Sequence, residues 1–157
     1  MRLSVALLLT LAVTAGACSD DGQASCIEVR EPLDPMSLQH VIDTDDVIFL
    51  TDPPTSGPHL NGPAIVGVRG APLEPAAQVR VLEAGGVLVQ YSEPATEDDL
   101  RFLIDGGDVA YTITPGDSLP DTVVATAWTW KLTCPEPDLD RIREFAELRA
   151  LDAPGLD

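Results

Sequence analysis

Gln78-Val79-Arg80-Val81-Leu82-Glu83-Ala84-Gly85-Gly86-Val87-Leu88-Val89-Gln90-Tyr91 is the stretch that decides the fold. Gln78 to Ala84 reads as a short helix, and Gly85-Gly86 supplies a glycine stop. Val87 to Tyr91 then switches to strand, with Val87, Val89 and Tyr91 on one face. A helix running straight into a strand predicts a sheet with helices packed on it.

Downstream the pattern repeats. Thr96-Glu97-Asp98-Asp99 predicts a capping box, with Thr96 as N-cap. It opens a helix near 97–105 whose Leu100, Leu103 and Ile104 share a face, stopped by Gly106-Gly107. Strands near 109–114 and 123–130 follow, separated by a turn at Gly116 to Pro120. Trp128 and Trp130, two apart on that last strand, should share a face. Asp138 caps a final helix near 138–151, with Leu139, Ile142, Phe145, Ala146 and Leu148 inward. The fold class is α+β: one small domain with a short, mainly antiparallel or mixed sheet.

Upstream, residues 26–63 carry little periodicity and many prolines and glycines. They read as a long Pro-rich wrap, in which Val47-Ile48-Phe49-Leu50 is a short strand or buried extended segment. Earlier still, Arg2 precedes an uncharged apolar run, Leu3 to Thr14, of signal-peptide length and too short to span a bilayer. Ala15-Gly16-Ala17-Cys18 resembles a bacterial lipobox, which implies cleavage before Cys18 and lipidation of its thiol. A plain secretory cut after Ala17 is the competing reading and would give a secreted protein. The organisation expected is a cleaved signal peptide at 1–17, a lipidated tether at 18–25 and one globular domain at 26–157. The expected address is the cell envelope, anchored on the extracytoplasmic side.

The chain has 157 residues, with 26 Asp+Glu against 9 Lys+Arg and a net charge of −17. Such a surface repels phosphates, which excludes nucleic acid as a partner; its ordinary role is solubility. With Cys18 assigned to lipid, Cys26 and Cys134 remain, and an oxidising compartment predicts one disulfide between them. Two free thiols at a soft-metal site are the alternative.

Several strings carry a resemblance. They are Pro53-Pro54-Thr55-Ser56-Gly57-Pro58-His59, then Arg80-Val81-Leu82-Glu83-Ala84-Gly85-Gly86-Val87 with Tyr91 closing the strand, then Thr126-Ala127-Trp128, then Cys134. Over roughly residues 26–150 they resemble the bacterial secreted and membrane-anchored family called domain of unknown function 3105, whose pattern is P-P-T-S-G-P-H, H-x-L-E-H-G-G-V, T-A-W-G and a cysteine. His40-Val41 matches an earlier H-V dipeptide of that pattern. The family's two helical histidines, four apart, have the geometry of a metal-binding pair. Here those positions are Arg80 and Ala84, and the glycine after T-A-W is Thr129.

His40 and His59, the two histidines of the chain, are candidate residual ligands with Glu83 or Met36. Imidazole suits copper and zinc, and methionine suits Cu(I). The alternative makes each histidine a hydrogen-bonded loop residue. Ser56 follows no G-x-S-x-G elbow, so Thr55 and Ser56 read as turn caps rather than nucleophiles. Asp43-Thr44-Asp45-Asp46 lacks the glycine and terminal glutamate of an EF-hand loop and reads as solvated. The leading expectation is a lipid-anchored, non-enzymatic binding or accessory protein with a degenerate metal site. No cofactor is expected beyond weak copper or zinc, and the partners are the membrane through the anchor plus an unknown protein or metal ion. A copper-type carrier using His40, His59 and Glu83 is second, and a hydrolase third.

Overall fold

The computed structural model describes residues 25–42, 46–94, 96–105 and 107–156. The signal run, Cys18 and most of the Asp43–Asp46 string lie outside the described residues. The elements are β1 (Ile27–Arg30), β2 (His40–Val41), β3 (His59–Leu60), β4 (Gly67–Val68), α1 (Pro75–Glu83), β5 (Val87–Tyr91), α2 (Thr96–Leu100), β6 (Tyr111–Pro115), β7 (Val123–Ala127), β8 (Trp130–Cys134) and α3 (Leu139–Arg149). Six strands form a mixed sheet in the order β1-β8-β7-β5-β6-β4, and β2 and β3 form a separate pair. The α+β expectation holds. β5 pairs parallel with β6 and antiparallel with β7, so both ladder types meet on the central strand.

All five residues of β5 are buried, because both faces of the sheet are covered. Val87, Val89 and Tyr91 join one core with Leu100, Leu103, Ile142 and Phe145, beneath α2 and α3. Leu88 joins the other with Val79, Val81, Leu82 and Trp128, beneath α1. Fully burying a large apolar side chain contributes about 1.5–3 kcal/mol, so two modest cores suffice for a domain this size.

α1 starts at Pro75, three residues before the predicted Gln78, because proline's fixed φ suits the first helical position. It stops where expected. Gly85, at φ +82°, donates to Leu82 O, and Gly86 donates to Val81 O, the paired bonds of a Schellman motif. A Cβ at Gly86 would lie 2.9 Å from Val81 Cγ1 and 3.2 Å from Ala110 O, so the turn from α1 into β5 admits no side chain there.

The expected strand at 123–130 is two strands. β7 ends at Ala127, the chain reverses at Trp128-Thr129, and β8 runs back antiparallel. Apolar alternation continues through the reversal, and neither turn residue is glycine or proline. Thr129 nonetheless sits at φ +61°, a left-handed angle that costs a β-branched residue about 1–2 kcal/mol. The two tryptophans therefore do not share a face. Trp128 packs in the α1 core, whereas Trp130 packs on the α3 side, with the Arg149 guanidinium 3.8 Å from its ring centroid.

Smaller expectations also change. Thr96 is already the first residue of α2, and the helix tightens to a 3₁₀ turn at Arg101–Leu103. Ile104 and Leu148 are exposed, since α2 and α3 each bury a narrower stripe than their apolar content suggests. Val47-Ile48-Phe49-Leu50 is not a strand: Ile48 and Leu50 face solvent while Phe49 packs on the α1 core. Asp138 caps α3 as predicted, accepting from Arg141 N at 3.0 Å.

The Cys26–Cys134 disulfide is present, with an S–S distance of 2.08 Å. It extends the β1–β8 ladder by one rung, since Ile27 already pairs with Thr133. Ile27–Arg30, part of the expected wrap, is thus an edge strand. Among the described residues, no helix is long and apolar enough to cross a membrane.

Candidate metal centre

The Pro-rich string is an ordered joint. Thr55, Ser56 and His59 are all buried. The Thr55 N–H donates to Thr51 Oγ1 at 3.1 Å, and the Asp34 N–H donates to Ser56 Oγ at 2.9 Å. Thr55 O accepts from Thr129 N at 2.9 Å, and Thr129 O accepts from Glu31 N at 2.8 Å. The Ser56 hydroxyl thus ties the string to Asp34, 22 residues away, rather than capping its own turn, and the string docks on the β7–β8 reversal. Gly57, at φ +137°, passes flat against Phe49; a Cβ there would be 3.1 Å from the ring.

This joint delivers His59 to β3. β2 and β3 pair parallel, with His40 opposite His59, and the His59 N–H donates to Gln39 O. Two-residue strands leave no trace in sequence periodicity, so this pairing was invisible there. It sets the rings edge to face, with centroids 4.7 Å apart. His59 Nδ1 lies 3.2 Å from Gly57 O. A carbonyl can only accept, so Nδ1 carries a proton and Nε2 points the other way.

His59 Nε2 lies 3.2 Å from Glu83 Oε2 on α1. It is buried and has no hydrogen-bond partner. His40, His59 and Glu83 each offer one ligand atom within 4.8 Å of the others. In a tetrahedral zinc site, bonds of about 2.0–2.1 Å put ligand atoms about 3.4 Å apart. The His59–Glu83 edge, at 3.2 Å, is already close to that length, and the ligand atom of exposed His40 lies within 4.8 Å of both. The donor set of two imidazoles and a carboxylate suits a divalent transition metal with an open position. Met36 is half-exposed and lines a cavity with Gln39, Val41 and Pro58, the sequence neighbours of the two histidines.

Of Arg80 and Ala84, Arg80 reaches the cluster. Its NH1 donates to Glu83 Oε2 at 2.6 Å and its Nε to Gly62 O at 2.6 Å. Ala84 is the C-cap of α1, half-buried, offers only a methyl group, and backs onto Gly155.

Residues 40–155 match the model of a family described as Protein of unknown function (DUF3105). The chain belongs to this family. No curated protein and no solved structure matches it. The match to DUF3105 begins at His40 and runs past Glu83 and the hairpin, so every residue of the cluster falls inside it. Thr129 has the left-handed backbone that glycine adopts freely.

Outside the centre, Glu28 joins the Arg141 guanidinium and accepts from Arg149 Nε at 2.7 Å, tying β1 to α3. Burial pushes its carboxyl pKa up, but the two arginines outweigh this and hold it below the usual range. Tyr91 OH donates to Glu97. Burial, then that carboxylate, pushes the Tyr91 phenol up to about 12.

Proposed function

We propose that this protein is an extracytoplasmic metal-binding protein, lipid-anchored through Cys18, that holds a divalent transition metal on His40, His59 and Glu83. The observation that carries the reading is the buried, unpartnered His59 Nε2 facing a carboxylate oxygen at 3.2 Å. An imidazole lone pair and a carboxylate oxygen repel unless a proton or a cation lies between them, and a buried polar atom without a partner costs about 1–3 kcal/mol. A metal ion relieves both. The role proposed is binding or carriage, and Ser56 is engaged in a structural bond, its Oγ accepting from Asp34 N at 2.9 Å.

The test is calorimetric titration of the purified chain with Zn(II) and Cu(II). Saturable one-to-one binding, lost in His59→Ala and weakened in His40→Ala, supports the reading. Failure to bind either ion at millimolar concentration refutes it. Detergent-phase partitioning of wild type, abolished in Cys18→Ser, tests the anchor.

A second reading, a degenerate site, is favoured by one observation: Arg80 already supplies Glu83 with a cation at 2.6 Å. In that reading the Arg80–Glu83–His59 chain is a structural ion-pair network, and metal binding is feeble in wild type.

A further inference from the structure

We infer that Arg80 and a divalent cation are alternative partners of Glu83, so that Arg80 sets the affinity of the site and metal loading frees the turn at Gly62. The inference rests on the metal-binding reading above and deepens it.

One oxygen carries the argument. Glu83 Oε2 accepts from Arg80 NH1 at 2.6 Å and is also the oxygen that faces His59 Nε2 at 3.2 Å. A metal bonded to both His59 Nε2 and that oxygen would stand about 4 Å from the guanidinium, at bond lengths near 2 Å. Arginine does not lose its proton in this setting, so the contact sets a divalent charge against a fixed positive one. Glu83 and Arg80 are mostly buried, with side chains 21% and 24% exposed, so solvent screens the repulsion only in part.

Arg80 also has somewhere to go and something to release. Its stem lines a cavity of about 70 Å³ with Leu60, Asn61, Pro63, Ile65 and Ala77, and its head reaches the surface. Its second bond, Nε to Gly62 O at 2.6 Å, ties α1 to the turn after β3. Gly62 has φ +113° and nothing within 4 Å of a would-be Cβ, so this turn has room to move. When a metal takes Glu83, the guanidinium swings out and this tie breaks. Occupancy of the site is thereby written into the backbone of residues 61–63.

The experiment compares the full-length chain, Arg80→Gln and Arg80→Lys by Zn(II) calorimetry, with hydrogen exchange of the peptide covering 59–66. Arg80→Gln keeps much of the stem and removes the charge. It should bind Zn(II) about tenfold tighter or more, the scale of a lost charge-assisted competitor. Arg80→Lys should stay within a few-fold of wild type. Exchange in 59–66 should rise on metal addition in wild type and change little in Arg80→Gln, where the tie is already gone. Equal or weaker Zn(II) binding by Arg80→Gln, with near-ultraviolet dichroism of the tryptophans unchanged, overturns the inference and leaves the site standing with Arg80 as an orienting residue. Absence of binding in all three chains overturns the metal reading itself.

Discussion

Replacing Cys26 and Cys134 together by alanine should destabilise the domain by about 3–5 kcal/mol. The bridge spans a sequence separation of 108. In the chain-entropy model, closing a loop of that length removes about 16 cal/mol/K from the unfolded chain, or about 5 kcal/mol at 25 °C. The native side changes less. β1 keeps its four register pairs with β8, and Glu28 keeps both arginines, so the folded ladder has other means to persist. Cys134 is fully buried, and alanine there leaves a small void in the α3 core rather than an unsatisfied hydroxyl, which is why alanine is preferred to serine. The melting temperature should fall by about 10–20 °C, and the slope of a urea transition should steepen because the uncrosslinked chain exposes more surface. Equilibrium urea unfolding followed by tryptophan fluorescence measures both. A loss below about 1 kcal/mol with an unchanged slope would show that the unfolded chain gains nothing from release of the loop, and would refute the entropic argument.

Thr129→Gly should raise stability by about 1 kcal/mol, because glycine relieves the left-handed angle at φ +61°; a loss of stability in thermal unfolding would mean that the threonine side chain packs better than its backbone is strained. Glu28→Gln should cost about 1 kcal/mol at neutral pH, after discounting for solvent screening. The folded-state pKa of Glu28 is lowered from 4.5, so the wild-type advantage is complete above that value and disappears as pH falls below it; a pH-independent difference in urea midpoints would contradict this. Both tyrosines should resist ionisation at pH 10, since burial raises Tyr111 as well and Tyr91 stands at about 12; a phenolate absorbance step at pH 10 in folded protein that persists in Tyr111→Phe would count against the Tyr91–Glu97 contact.

The central part of the fold was readable because its signals are local. The Gly85-Gly86 stop, the alternation in β5 and the Asp138 cap each act within a few residues. The β7–β8 reversal was not, because its turn residue Thr129 is held by hydrogen bonds to Thr55 and Glu31, far away in the chain. The site was half readable. His40, His59 and Glu83 could be named by chemistry, but what aligns the histidines is a parallel pairing two residues long. Arg80 was legible as a departure from the family pattern, while its bond to Gly62 leaves no trace in sequence.

The joint formed by Thr55, Thr129 and Glu31 has a kinetic consequence. Its bonds bridge segments more than seventy residues apart, and the reversal it clasps does not exist until β7 and β8 have paired. Long-range closures of this kind come late in folding, because loop entropy is lost before the contacts can offset it. The Pro-rich segment carrying His40 and His59 therefore settles onto an already assembled sheet, and the two imidazoles meet Glu83 among the last events. A chain still folding would present no organised ligand set until the domain around it was complete.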